Sequence, residues 1–240
     1  MTGIKILHVG AHEELIMNYY RHFKSGRICF DYVLRKTGVD FRFKNDPCFD
    51  GRLHYITPMQ TSVWLWIKEL RSVIRSDRYT HVHLHLGWAS IYGLIASVGL
   101  GKKLISHNHS YYKSSNPFRA LMRKPLRFLI NRLSDYMLAC SVDSGKQLFP
   151  NGYTLLPNAI DYSRFQFKPI NRVLIRGEFC VADDVIVFGH VGNFTQPKNH
   201  SFLIKIFSEI QKRLPKSVCS WWAQIMGHLM QSGLMCAVLA

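Results

Sequence analysis

The stretch His190-Val191-Gly192-Asn193-Phe194-Thr195-Gln196-Pro197-Lys198-Asn199-His200-Ser201-Phe202-Leu203-Ile204 decides how this chain is read. It continues the run Val185-Ile186-Val187-Phe188-Gly189, whose apolar, β-branched content is that of a strand. Gly192, at the strand end, has no Cβ, so its backbone can come close to a ligand. Lys198 stands just before a helix predicted from about Asn199 to Leu214 and ended by Pro215. An ammonium group there can meet a phosphate whose other oxygens face the helix N-terminus. The same residues also suit an ordinary strand-to-helix turn with a solvated lysine.

Upstream, the same alternation repeats. Strands are predicted at Ile4 to Val9, Phe30 to Leu34, His54 to Thr57, His81 to His85, Leu104 to Ser106 and Tyr136 to Cys140. Helices are predicted at Glu13 to Phe23, Val63 to Ser76, Ser90 to Val98, Phe118 to Leu133 and Val142 to Phe149, with Trp64, Ile67, Leu70 and Ile74 as the apolar face of the second. Strands alternating with helices imply βαβ units, an α/β class and an open parallel sheet. Ligands then bind beyond the carboxyl ends of the strands, in the loops after Val9, His85, Ser106 and Cys140. The pattern loosens between Pro157 and Pro169, and a second unit starts with the stretch quoted above.

Composition narrows the class. The 240 residues are 48% hydrophobic and 19% charged, which excludes a disordered or fibrous chain. Six cysteines are scattered without a CxxC pair, as reduced thiols of a cytosolic protein would be. There is no signal-peptide pattern at the start and no apolar run of about 20 residues. The net charge of +16 suits nucleic acid, an anionic membrane surface or a phosphorylated substrate, with a local concentration at Arg119, Arg123, Lys124, Arg127 and Arg132. His81, His83 and His85 share one strand face, but no acidic residue or cysteine accompanies them at ligand spacing, so no metal is expected. The aromatic residues near Trp64 and Trp88 are expected to be core.

Four segments in order carry a resemblance. The stretch from His190 resembles the donor-phosphate motif of family 4 retaining glycosyltransferases of the GT-B fold. Tyr153-Thr154-Leu155-Leu156-Pro157-Asn158-Ala159-Ile160-Asp161-Tyr162-Ser163-Arg164-Phe165 is similar to that family's interdomain segment. Ile6-Leu7-His8-Val9 with Ile16 to Arg21 resembles its opening strand and helix, and Leu104-Ile105-Ser106-His107-Asn108 its acceptor-domain strand ending in His-Asn. The resemblance spans about residues 4 to 217. It implies a Rossmann-like acceptor domain over 1–165 and a partial Rossmann-like nucleotide-sugar domain over 166–217.

By that resemblance Lys198, Gly192, Asn193 and Gly10 are donor-phosphate contacts, His107 a catalytic candidate, and Asn108 and His12 cleft or acceptor residues. Asn193 stands where many members have arginine, and only Gly10 remains of the paired glycines usual after the first strand. The resemblance implies hexose transfer from a nucleoside-diphosphate sugar to a lipid-linked or polysaccharide acceptor in surface exopolysaccharide or capsule assembly. No cofactor is implied. The expected place is the cytoplasm, peripheral to the inner membrane face, with an anionic membrane surface as partner and no nucleic acid. A basic Rossmann-like nucleic-acid-binding module is the competing class.

From Val218 to Ala240 no Asp, Glu, Lys or Arg occurs. Codons permitted for Cys219 to Gln231, read two bases later, can spell Phe-Met-Val-Gly-Ala-Asp-Asn-Gly-Ser-Leu-Asp-Ala-Glu, a strand, glycine turn and helix start. The expectation is a frameshifted tail over 218–240, a truncated second domain and little or no sugar transfer.

Overall fold

Strands β1 (Ile4–Val9), β2 (Ile28–Arg35), β3 (Leu53–Ile56), β4 (His81–Leu84), β5 (Lys103–Asn108), β6 (Tyr136–Ala139) and β7 (Thr154–Leu155) form one sheet. Its order is β3-β2-β1-β4-β5-β6-β7 and every pairing is parallel. The order reverses between β1 and β4, which puts the topological switch point beyond Val9 and Leu84. The computed structural model describes residues 3–10, 13–22, 28–36, 41–111, 117–192, 198–222, 224–225, 228–229 and 234–236, with 117–120 and those from 221 onward described by backbone alone. Two units divide the chain, Met1–Asp161 and Tyr162–Ala240.

Helices α1 (Glu13–Tyr20), α2 (Val63–Ser76), α3 (Ser90–Ser97), α4 (Pro117–Leu133) and α5 (Val142–Leu148) connect the strands of the first unit. Strand pleating sorts side chains to two faces. Leu7, Val9, Val82, Leu84, Leu104 and Ala139 pack with Leu70, Ile74, Leu94 and Ile130 of the helices. On the other face Phe30 and Tyr32 pack with Ile16, Met17, Tyr20 and Phe41. Each fully buried Leu or Ile in these layers contributes about 1.5–3 kcal/mol.

Local chemistry sets the helix starts. The Ser62 hydroxyl accepts from the Leu65 amide at 3.2 Å and caps α2. At α5 the Ser141 and Ser144 side chains cap each other's backbone amides. The buried face of α2 is Trp66, Leu70 and Ile74, and Trp64 is 77% exposed. This corrects the expectation that Trp64 faces the core. Trp88 does pack partly against the core, with the Arg123 guanidinium 4.9 Å from its ring centre.

In the second unit, α6 (Pro169–Glu178) precedes β8 (Ile186–Val191), α7 (His200–Arg213) and β9 (Ser217–Trp222). Strands β8 and β9 pair in parallel, from Ile186 opposite Ser217 to Val191 opposite Trp222. Strand β9 thus takes in residues 218–222, the start of the span expected as a frameshifted tail. Strand β10 (Leu234–Cys236) pairs antiparallel with β9. Helix α6 is absent from the sequence expectation; Pro169 opens it, where its lost N–H is unneeded.

Candidate functional site

Two groups of residues, one in each unit, are candidates for the chemistry. In the first unit the loop after β1 turns at Gly10, whose φ is +71°. The left-handed turn favours glycine, and a Cβ there would also have to displace the tip of Leu86, whose Cδ2 would lie 2.3 Å away. The His85 amide donates to the Val9 carbonyl at 2.9 Å and holds these loops together. Beside them lies a cavity of about 190 Å³ lined by Gly10, Arg35, Thr57, Met59, Gln60 and Leu86, among others. Arg35 and Gln60 are polar lining residues that no motif marked, because they come from the ends of β2 and the loop after β3.

The second feature of this edge is a histidine cluster. In the parallel register His8 lies opposite His83, and pleating keeps His83 and His85 on one face. Strand β5 brings His107 and, just beyond its end, His109 alongside. His8, His83, His85 and His107 are buried. Three hydrogen bonds link part of the set: His8 Nδ1 to His85 Nε2 at 3.0 Å, His85 Nδ1 to His109 Nε2 at 2.8 Å, and His109 Nδ1 to Asn158 Oδ1 at 3.1 Å. The amide oxygen of Asn158 only accepts, so His109 Nδ1 donates to it. In sequence, His109 Nε2 then accepts from His85 Nδ1, and His85 Nε2 accepts from His8 Nδ1. Burial holds His8 and His107 at about 3, with neighbouring histidines adding to the effect at His107, and it pushes His83 and His85 well below the usual imidazole range. All four are neutral at pH 7.

His107, the expected catalytic candidate, sits inside this cluster, 2% exposed and with neither ring nitrogen hydrogen-bonded. Asn108, expected to face the cleft, is also 2% exposed. Its Nδ2 donates to the Ser144 carbonyl at 2.8 Å, and its own carbonyl accepts from the Cys140 amide at 3.1 Å. That geometry braces the end of β5 against the start of α5. His12 lies outside the described residues.

In the second unit, the sequence-predicted partners Gly192 and Lys198 are brought together. A Cβ on Gly192 would stand 3.4 and 3.5 Å from Lys198 Cδ and Cε, so the lysine stem lies across the bare glycine. Asn199 follows in the left-handed conformation, φ 44°, and its carbonyl accepts from the Phe202 and Leu203 amides at 3.0 and 3.2 Å. Its side chain does not cap α7. Lys198 is exposed at the open start of this helix. The arrangement suits an anion that takes one charge-assisted contact and the helix-terminal amides. Asn193 lies outside the described residues.

A doubly wound parallel sheet with its switch point at Gly10, followed by a strand-glycine-lysine-helix turn, defines an α/β protein of the GT-B type. The sequence model of Glycosyltransferase Family 4 matches residues 36–164, and the chain belongs to that family. The proposed glycosyltransferase EpsF of Bacillus subtilis (strain 168) is 27% identical over 235 residues, covering 87% of this chain and 59% of EpsF. The crystal structure of Anabaena Alr3699/HepE in complex with UDP and glucose superposes with a TM-score of 0.68 at 18% identity, covering 91% of this chain and 60% of that one. A glycosyltransferase from Rickettsia africae ESF-5 gives a TM-score of 0.69 at 14% identity, with 95% and 62% covered. The chain thus spans about three fifths of the length of each of these proteins.

Proposed function

We propose that this chain carries the acceptor-side unit and the first donor-phosphate turn of a retaining hexosyltransferase that uses a nucleoside-diphosphate sugar. The single observation that carries the reading is Lys198 lying across Gly192 at the uncapped start of α7, in a chain of Glycosyltransferase Family 4. A diphosphate there gains the lysine ammonium and the positive end of the helix dipole, both of which favour the departing nucleotide as charge develops on it. HepE, with the same fold, is described with UDP and glucose, which supports a uridine nucleotide as the first donor to test.

The acceptor in this reading is a lipid-linked or polysaccharide chain of surface polysaccharide assembly, in keeping with the likeness to EpsF. Helix α4 supports work at an anionic membrane surface: Leu121, Met122, Phe128 and Leu129 are exposed beside Lys124 and Arg132. No helix among the described residues is long and apolar enough to cross a membrane.

Calorimetric titration with UDP tests the phosphate turn directly. Lys198→Ala is expected to weaken UDP binding about tenfold, or about 1.4 kcal/mol, while Lys205→Ala leaves it unchanged. Equal affinity in the wild type and Lys198→Ala would remove the turn from the donor site. Release of UDP from a panel of UDP-hexoses then asks whether the chain turns the donor over.

A further inference from the structure

The histidine cluster is a ligand set that no single strand reveals. The expectation of no metal considered His81, His83 and His85 as the candidate ligands, and tertiary structure brings together a different set. One ring nitrogen from each of His85, His107 and His109 falls in a group whose members all lie within 4.8 Å of one another. His81 is not part of it. A tetrahedral ion with bonds of about 2.0–2.1 Å needs donor atoms about 3.3 Å apart. The 2.8 Å between His85 Nδ1 and His109 Nε2 is within a small rotation of that value.

Two features favour an ion over a purely structural stack. His107 is buried with both nitrogens lacking a hydrogen bond, a state that costs about 1–3 kcal/mol for each unmet polar group. The two other rings already have partners on their far nitrogens, as metal-bound imidazoles do: His85 Nε2 on His8 and His109 Nδ1 on Asn158.

We propose that His85, His107 and His109 bind a borderline transition-metal ion such as Zn²⁺ at the carboxyl edge of the first unit's sheet. The three donors are all imidazole, which suits zinc, nickel or copper and not magnesium or calcium, whose sites are built from oxygen. Binding needs no change in proton number. The proton on His85 moves from Nδ1 to Nε2 and now donates to His8 Nδ1, so the proton of His8 moves to its Nε2. His109 keeps its Nδ1 proton on Asn158. Among the described residues no carboxylate joins the group, so the ion's charge is partly offset by an exogenous anion in a fourth position, or by hydroxide once a bound water releases a proton to solvent. His109, half-buried beyond the end of β5, is the open side of the set.

The test uses the full chain without a histidine tag, loaded with Zn²⁺, dialysed against metal-free buffer and assayed by elemental analysis. About one equivalent of Zn²⁺ is expected, and none of Mg²⁺ loaded in the same way. Co²⁺ in place of Zn²⁺ is expected to give the visible bands of a tetrahedral site. His107→Asn and His109→Ala should each lower Zn²⁺ affinity about tenfold or more, and His81→Gln should leave it unchanged. His109 is the least buried of the three ligands, so His109→Ala tests the site even if His107→Asn does not fold; circular dichroism checks each variant. Failure of the wild type to retain Zn²⁺ overturns the proposal. So does retention unaffected by His109→Ala but lost in His83→Asn, which would put the ion on His8, His83 and His85.

Discussion

Asp31 shows how single residues set the edge of this sheet. It is 1% exposed, yet it accepts from Tyr79 Oη at 2.7 Å and the Arg52 amide at 2.8 Å, with Lys5 Nζ at 3.0 Å. Burial raises its pKa, but these bonds and His54 outweigh burial, and the carboxyl ends well below the usual range. Asp31→Asn keeps the shape and removes the charge from three donors, so thermal melts should show a loss of about 1–3 kcal/mol. A depressed carboxylate stabilises the fold above its unfolded pKa and loses that contribution only in strong acid. The histidines act earlier. His8, His83, His85 and His107 all have folded pKa values below that of a free imidazole, so the unfolded chain takes up their protons first. Their contribution is complete above about pH 6.5 and is lost progressively as pH falls below that, by up to about 1.4 kcal/mol per pH unit for each ring. Melting temperatures between pH 7 and pH 5 should fall steeply; a flat profile would show that these rings are solvated.

At the scale of elements, α2 separates what a periodic pattern can and cannot say. Both Trp64 and Trp66 fit a helical stripe with Ile67, Leu70 and Ile74, since at about 100° per residue the two tryptophans flank that stripe on opposite sides. The sheet chooses Trp66, 6% exposed, which is buried with Leu70, Ile74, Val82 and Leu84 in one core. Trp66→Ala is therefore expected to cost about 3–5 kcal/mol in a denaturant titration, and Trp64→Ala within about 0.5 kcal/mol of nothing. The reverse order of effects would place the other stripe against the sheet. Helix α6 went unseen for a related reason: Ile170, Val173 and Leu174 have helical spacing, but they are exposed, and the prolines before them read as loop.

At the scale of the whole molecule, the net charge of +16 sits on a chain whose longest helix, α4, also exposes apolar residues. Each basic residue near an anionic surface contributes about 1 kcal/mol, screened over about 8 Å at physiological salt. Co-sedimentation with phosphatidylglycerol-rich vesicles is expected, weakening as salt rises. Lys124→Glu with Arg132→Glu should reduce it by roughly tenfold or more. Binding that is indifferent to both salt and these changes would assign α4 to another role. Arg123 is not included in the pair because its guanidinium lies over Trp88.

The order of strands and helices, the parallel sheet and the strand-glycine-lysine turn were legible in the chain itself, because each rests on local periodicity and on residues close in sequence. Lys198 and Gly192 needed only a turn to meet. The sheet edge was different. Which tryptophan faces inward, that Asn108 braces α5 instead of facing outward, and that His8, His85, His107 and His109 converge are all consequences of register between strands 20 to 80 residues apart. Pairing across a sheet is a tertiary choice, made by burying whole faces at once, and no window along one strand contains it.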